Sequence, residues 1–334
     1  MYTPEGIRII FIRENILLFR SKIGWFALPF GPFCVLYVAT IHYLCASQIR
    51  VMLKLVLLAA VVASFFSVDR DFRYKCNYRE NNDTLLVMLE SAFPGSEKAE
   101  VYWRLSRVSL MMGEQEQTKS AKRAHYAKGM EYAEKGMKED AGSKECYMWH
   151  CANIGRECQT RNIMEQASSV PKMMKDLTMI LDKLGKVDYS EAWQALSELY
   201  YHHPLKSDDA AISFARKAAT CIPSDELRIS TYTYLAEILY KRNNSAGKRA
   251  SEAAENIPAF RNTNSSNIEK YSYFNGTQEY MPWSIKSYAS LSDREEAAAI
   301  LSYARGVYTS CSNPTPLDKA DYKKLVEFTE KIGK

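Results

Sequence analysis

The chain has 334 residues, a net charge of +5, and only 14 glycines and 11 prolines. Breakers this scarce, against average shares of about 7% and 5%, exclude a collagen-like or loop-dominated chain and point to helix nearly throughout. Eight cysteines with no CxxC pair among them exclude the disulfide framework of a small secreted domain.

Residues 1–70 read as a membrane-directing leader. Residues 1–80 hold ten Lys or Arg against five Asp or Glu, whereas the remainder holds 34 of each sign. The run from Ile23 to Ile49 carries no formal charge and exceeds the roughly 20 residues that span a bilayer. Pro29 and Pro32 would break its first half. A second apolar run, Leu55–Val68, follows Arg50 and Lys54. Two readings stand side by side: a membrane hairpin or single anchor, or an export signal that starts at Met52 and ends in small residues at Ala63 and Ser64. Both place the protein at or across a membrane, in the periplasm or envelope if the source is bacterial.

From residue 80 to 334 the chain reads as an all-α repeat domain. Leu85, Leu86, Met88 and Leu89 mark a short helix closed by Phe93-Pro94-Gly95. Val101, Leu105, Val108 and Met112 then recur at helical spacing, with Trp103 and Arg104 beside them. The next helix places Gly129, Ala133 and Gly136 on one face, as close packing requires. A Trp-led helix around Trp149 follows. Its partner, 163–184, carries the stripe Met173, Met174, Leu177, Ile180 and Leu181, a core pattern.

Two cleaner units come after it. Trp193, Leu196, Ser197 and Tyr200 precede Ala211, Ala215, Ala218 and Pro223. Tyr232, Leu235, Ala236 and Leu239 precede Ala246, Ala250, Ala253 and Pro258. Each reads as a helical hairpin of tetratricopeptide type, with Asp208 and Asp209 placed to cap the second helix of the first unit. After a polar loop, Ser292 and Glu295 form a capping box, and a terminal helix near 318–331 suits a cap. The expected fold is all-α: about five tetratricopeptide-like hairpins stacked in a right-handed superhelix behind an apolar leader.

Enzymatic motifs are missing from the sequence: no phosphate-cradling glycine loop, GxSxG or HExxH. The chain therefore reads as a non-enzyme without a cofactor. Cys146, His150, Cys151 and Cys158 lie close in sequence, but the two pairs face about 100° apart on one helix. Helix packing explains them better than a metal does. A neutral body also lacks the basic stripe of a nucleic-acid binder.

The runs EVYWRLSRVSLMMG, HYAKGMEYAEKGMKED, CYMWHCANIGRE, VPKMMKDLTMILD, AWQALSELYYHHP and SFARKA resemble the regulator of microtubule dynamics family and its bacterial relatives over about 100–258. The matching features are the Trp-Arg-Leu helix, then Gly129, Tyr132 and Ala133, then Trp149, Gly155 and Arg156. Leu196-Ser197 and Leu235-Ala236 depart from the Leu-Gly of such repeats. The resemblance implies a helical-repeat fold and, for animal members, ties to microtubules and mitochondria.

In such hairpins the first helix lines the concave face, and residues flanking its packed positions face the groove. The expected groove residues are Arg104, His150, Glu157, Gln194, Glu198, Tyr201, Thr233, Glu237 and Tyr240. A protein or peptide is the expected partner. The alternatives are an accessory of a periplasmic solute transport system and, for a cytosolic body, a microtubule-associated adaptor.

Overall fold

The computed structural model describes residues 8–12, 16–21, 24–29, 65–202 and 207–333. It divides into two units, 1–67 and 68–334. In the first, β1 (Arg8–Ile12), β2 (Ile16–Ser21) and β3 (Gly24–Pro29) form an antiparallel meander in that order. Ile10 faces Leu18, and Leu18 faces Ala27 across the ladders. Here the chain departs from the helical composition, because β-branched and aromatic residues concentrate locally. Residues 30–64, on which the anchor and export readings mostly rest, lie outside the described residues. Among the described residues no helix is long and apolar enough to cross a membrane.

The second unit is all helix. It begins with α1 (68–74 of it), ahead of the expected start at 80. Then come α2 (Tyr78–Ser91), α3 (Ser96–Gln115), α4 (Lys119–Glu139), α5 (Lys144–Gln159) and α6 (Ile163–Thr178), which ends in a π turn, Met179–Lys183. They are followed by α7 (Ser190–His202), α8 (Asp208–Thr220), α9 (Ile229–Arg242), α10 (Ala246–Asn262), α11 (Asn267–Ser272), α12 (Asp293–Ser310) and α13 (Pro316–Ile332). Helices α3 and α4, α5 and α6, and α7 and α8 pack as hairpins.

Local chemistry sets the helix starts. Thr118, Ser143, Ser207 and Ser245 each accept a first-turn backbone N–H at the N-cap. The cap of α8 is thus Ser207, while Asp208 and Asp209 lie in its first turn, where carboxylates suit the helix dipole. Ser292 with Glu295 completes a capping box on α12, as the sequence indicates.

Glycines let α4 approach its neighbour closely. A Cβ on Gly129 would lie 2.2 Å from Asn153 Oδ1, and one on Gly136 would lie 2.4 Å from Cys146 Sγ. Asn153 cannot yield, because its buried amide donates to Ser106 O, Ser106 Oγ and Trp149 O.

The second clean repeat pairs differently from its sequence pattern. Helix α9 takes α12 and α13 as partners, while α10 packs against α11 and the 3-10 turn Tyr288–Ser290. Tyr232, Leu235, Ala236 and Leu239 share one core with Ala297, Ile300, Leu301 and Ala304 of α12. Helix α10 spaces its alanines as a repeat would, but Arg249 lies between them and is fully buried on carboxylates. Helix α12 instead presents Ala297, Ile300, Leu301 and Ala304 to α9, beside its own buried Glu296. Nor does Pro258 close the unit, since it lies inside α10.

Candidate functional site

The nine expected groove residues divide into buried ones and a surface-facing group. Arg104 is buried: Nη2 donates to Asp69 Oδ2 at 2.7 Å and Nη1 to Glu100 Oε2 at 2.6 Å, with the guanidinium 4.1 Å above the Trp103 ring. Helix α1 covers that side of α3, so Arg104 does not line a groove. Arg107 joins the same carboxylate of Asp69, and burial pulls its guanidinium down to about 10. Glu157 is buried and accepts from Arg161 at 2.7 Å. Thr233 is buried too, its hydroxyl donating to Ile229 O at 2.9 Å, because α8, α12 and α13 all pack on α9.

His150 is half-buried. Its Nδ1 lies 2.6 Å from Asp176 Oδ2, and Nε2 lies 3.6 Å from Glu134. Tyr240 meets the edge of Phe328 of α13 at 6.0 Å and carries Arg294 above it at 4.7 Å. The terminal helix therefore covers this end of α9.

Glu198, Tyr201 and Glu237 come together around a residue that the sequence pattern does not mark, Tyr234, and Gln194 joins them through Glu198. The Tyr234 hydroxyl lies 3.5 Å from Ser197 Oγ, and its ring stands edge-on to Tyr201 at 6.4 Å. Burial pushes the Tyr234 phenol up, and the neighbouring Glu198, Tyr201 and Glu237 add to that. Gln194 donates to Glu198 at 3.0 Å and accepts from Thr231. The Lys241 ammonium lies 5.6 Å above the Tyr201 ring. Glu198 is exposed and Glu237 half-buried. The face thus combines two aromatic rings with two carboxylates, able to accept hydrogen bonds and pack against apolar groups.

A constant offset explains why Tyr234 escaped notice. The contacts Glu191–Arg228, Gln194–Thr231 and Ser197–Tyr234 all join residues 37 apart. Aligning Trp193 with Tyr232 instead pairs residues 39 apart and selects Thr233, Glu237 and Tyr240. The two registers differ by two residues, about 200° of helix, and of those three Glu237 is the one that acts on Tyr234.

The cysteine cluster is dispersed among backbone carbonyls. Cys146 donates to Ala99 O at 3.7 Å, Cys151 to Met173 O at 4.0 Å and Cys158 to Gln166 O at 3.6 Å. Burial pushes the Cys146 thiol up to about 12. Among the described residues no group of three or more His, Cys, Asp or Glu could hold a metal ion.

No curated protein matches the chain. A family match begins at Asp69, the residue that receives Arg104 and Arg107, and ends at the π turn after α6; the surface around Tyr234 lies beyond it. Over residues 69–179 the chain is similar to the family described as regulator of microtubule dynamics protein 1-3, the family its sequence motifs resemble.

Proposed function

We propose that the helical unit is a non-catalytic, tetratricopeptide-like scaffold that binds a protein or peptide segment across α7 and α9. The observation that supports this most is the convergence of Gln194, Glu198, Tyr201, Tyr234 and Glu237 on one surface of two successive first helices. Helical repeats commonly bind through such surfaces. A photo-crosslinking residue at position 198 or 237 should capture one and the same protein, and one at Ser251 on the exposed side of α10 should not. Equal capture from position 251 would refute the assignment.

The similarity of residues 69–179 to a family named for microtubule dynamics favours a second reading, a microtubule-associated adaptor. That reading needs a cytosolic body and a retained leader. N-terminal sequencing of the mature protein separates the two topologies. A start near Phe65 or Asp69 would exclude the adaptor, and a retained Met1 would exclude export.

A further inference from the structure

A polar cleft of about 410 Å3 opens between the end of α6 and the turn that leads into α11, away from the α7 and α9 surface. One wall holds Thr178, Asp182 and Lys183; the other holds Asn264, Ser265, Ser266, Asn267 and Lys270. The walls are fastened together. Asp182 Oδ1 accepts the backbone N–H of Asn267 at 2.7 Å and of Ile268 at 3.1 Å, and Asn267 Nδ2 donates to Leu181 O at 2.7 Å. Cleft shape is therefore fixed before any ligand arrives, which lowers the ordering cost of binding.

The lining carries two ammonium groups, Lys183 and Lys270, against one carboxylate, Asp182, and Glu269 beside it accepts from the Ser265 hydroxyl. Among the described residues, neither the Lys183 nor the Lys270 ammonium has a carboxylate partner, and Lys270 rests 5.1 Å from the centre of the Phe260 ring. The Asp182 carboxylate that faces them already accepts two N–H donors through one oxygen. Two cations on opposite walls can take a group with several acceptor oxygens and negative charge.

We propose that this cleft binds a phosphate-ester group, with Lys183 and Lys270 as its cationic contacts. The ester belongs either to a soluble metabolite or to a phospholipid headgroup. The site is independent of the α7 and α9 surface.

Calorimetry of the full chain tests this with glycerol phosphate as probe and glycerol as its neutral control. Glycerol phosphate should bind and glycerol should not. Lys183→Gln and Lys270→Gln should each weaken binding by about tenfold, the loss of one charge-assisted contact. Both lysines extend from the surface of the cleft, and Glu198→Lys, in the proposed peptide surface, should leave the affinity unchanged. Flotation with phosphatidylcholine vesicles, with and without phosphatidylglycerol, distinguishes the sources. Lysine-dependent recruitment to the anionic vesicles identifies a headgroup; binding of glycerol phosphate without recruitment identifies a soluble ester. Absence of glycerol phosphate binding, or affinity unchanged in both lysine variants, would overturn the proposal.

Discussion

Arg216 on α8 and Glu296 on α12 lie 80 residues apart in sequence and meet in the core as a two-pronged ion pair, each side chain 1% exposed. Arg249 of α10 reaches the same carboxylate at 2.6 Å, and Trp283 Nε1 donates to it at 2.9 Å. Asp293 extends the cluster to Arg242 of α9 and to Arg249, each at 2.8 Å. Four helices thus depend on two carboxylates. Glu296→Gln leaves the Arg216 guanidinium without a counter-charge in the interior and Arg249 with Asp293 alone, at a cost of about 3–5 kcal/mol. Urea unfolding of wild type and variant measures it; a change under about 1 kcal/mol would contradict this role.

The same cluster predicts acid lability. Burial alone would raise the Glu296 carboxyl, but Arg216 and Arg249 override it and hold it at about 2. Asp293 is likewise lowered, against its own burial, by Arg242, by the Asn244 backbone N–H and by Arg249. Groups depressed in the folded state add stability that is complete above their unfolded values and lost as pH falls toward their folded ones. For Glu296 the window runs from about pH 4.5 down to about 2. Melting temperature should fall across that window in wild type and more shallowly in Glu296→Gln. Parallel slopes would place the acid sensitivity elsewhere.

Gly129 is predicted to tolerate no methyl group. An alanine there would press on Asn153, whose buried amide is fixed by three bonds. Overpacking of this kind costs about 1–3 kcal/mol, more than alanine recovers through helix propensity. Thermal unfolding should show Gly129→Ala to be less stable than wild type, whereas Gly247→Ala, where a Cβ meets nothing within 4 Å, should not be.

The pairing of α9 with α12 makes a contrast that the sequence repeat inverts. Ala304 is fully buried in the α9 core, and Ala246 is half-buried at the start of α10. Ala304→Leu should therefore destabilise by about 1–3 kcal/mol and Ala246→Leu by much less. The reverse order, read from denaturant midpoints, would restore α10 as the partner.

Much of the helical unit was legible because apolar periodicity and capping residues act locally: Trp193 with Leu196, Gly129 with Gly136, and Ser292 with Glu295 all behave as their spacing implies. What escaped were choices between distant segments. Helices α10 and α12 both offer alanines at helical spacing, yet α12 packs on α9 while Arg249 ties α10 to Asp293 and Glu296 of α12. The candidate surface was half legible. Gln194, Glu198, Tyr201 and Glu237 were named, but Arg104 was lost beneath α1, whose charge partner Asp69 stands 35 residues away. Tyr234 was missed because the helix-to-helix offset is a tertiary quantity.

The most direct test of the proposed binding surface is a charge reversal on α7 and α9. Capture of the partner identified by crosslinking at position 198 should be lost in the double variant Glu198→Lys, Glu237→Lys, with the melting temperature preserved. Undiminished capture by that folded variant would contradict the assignment of the surface.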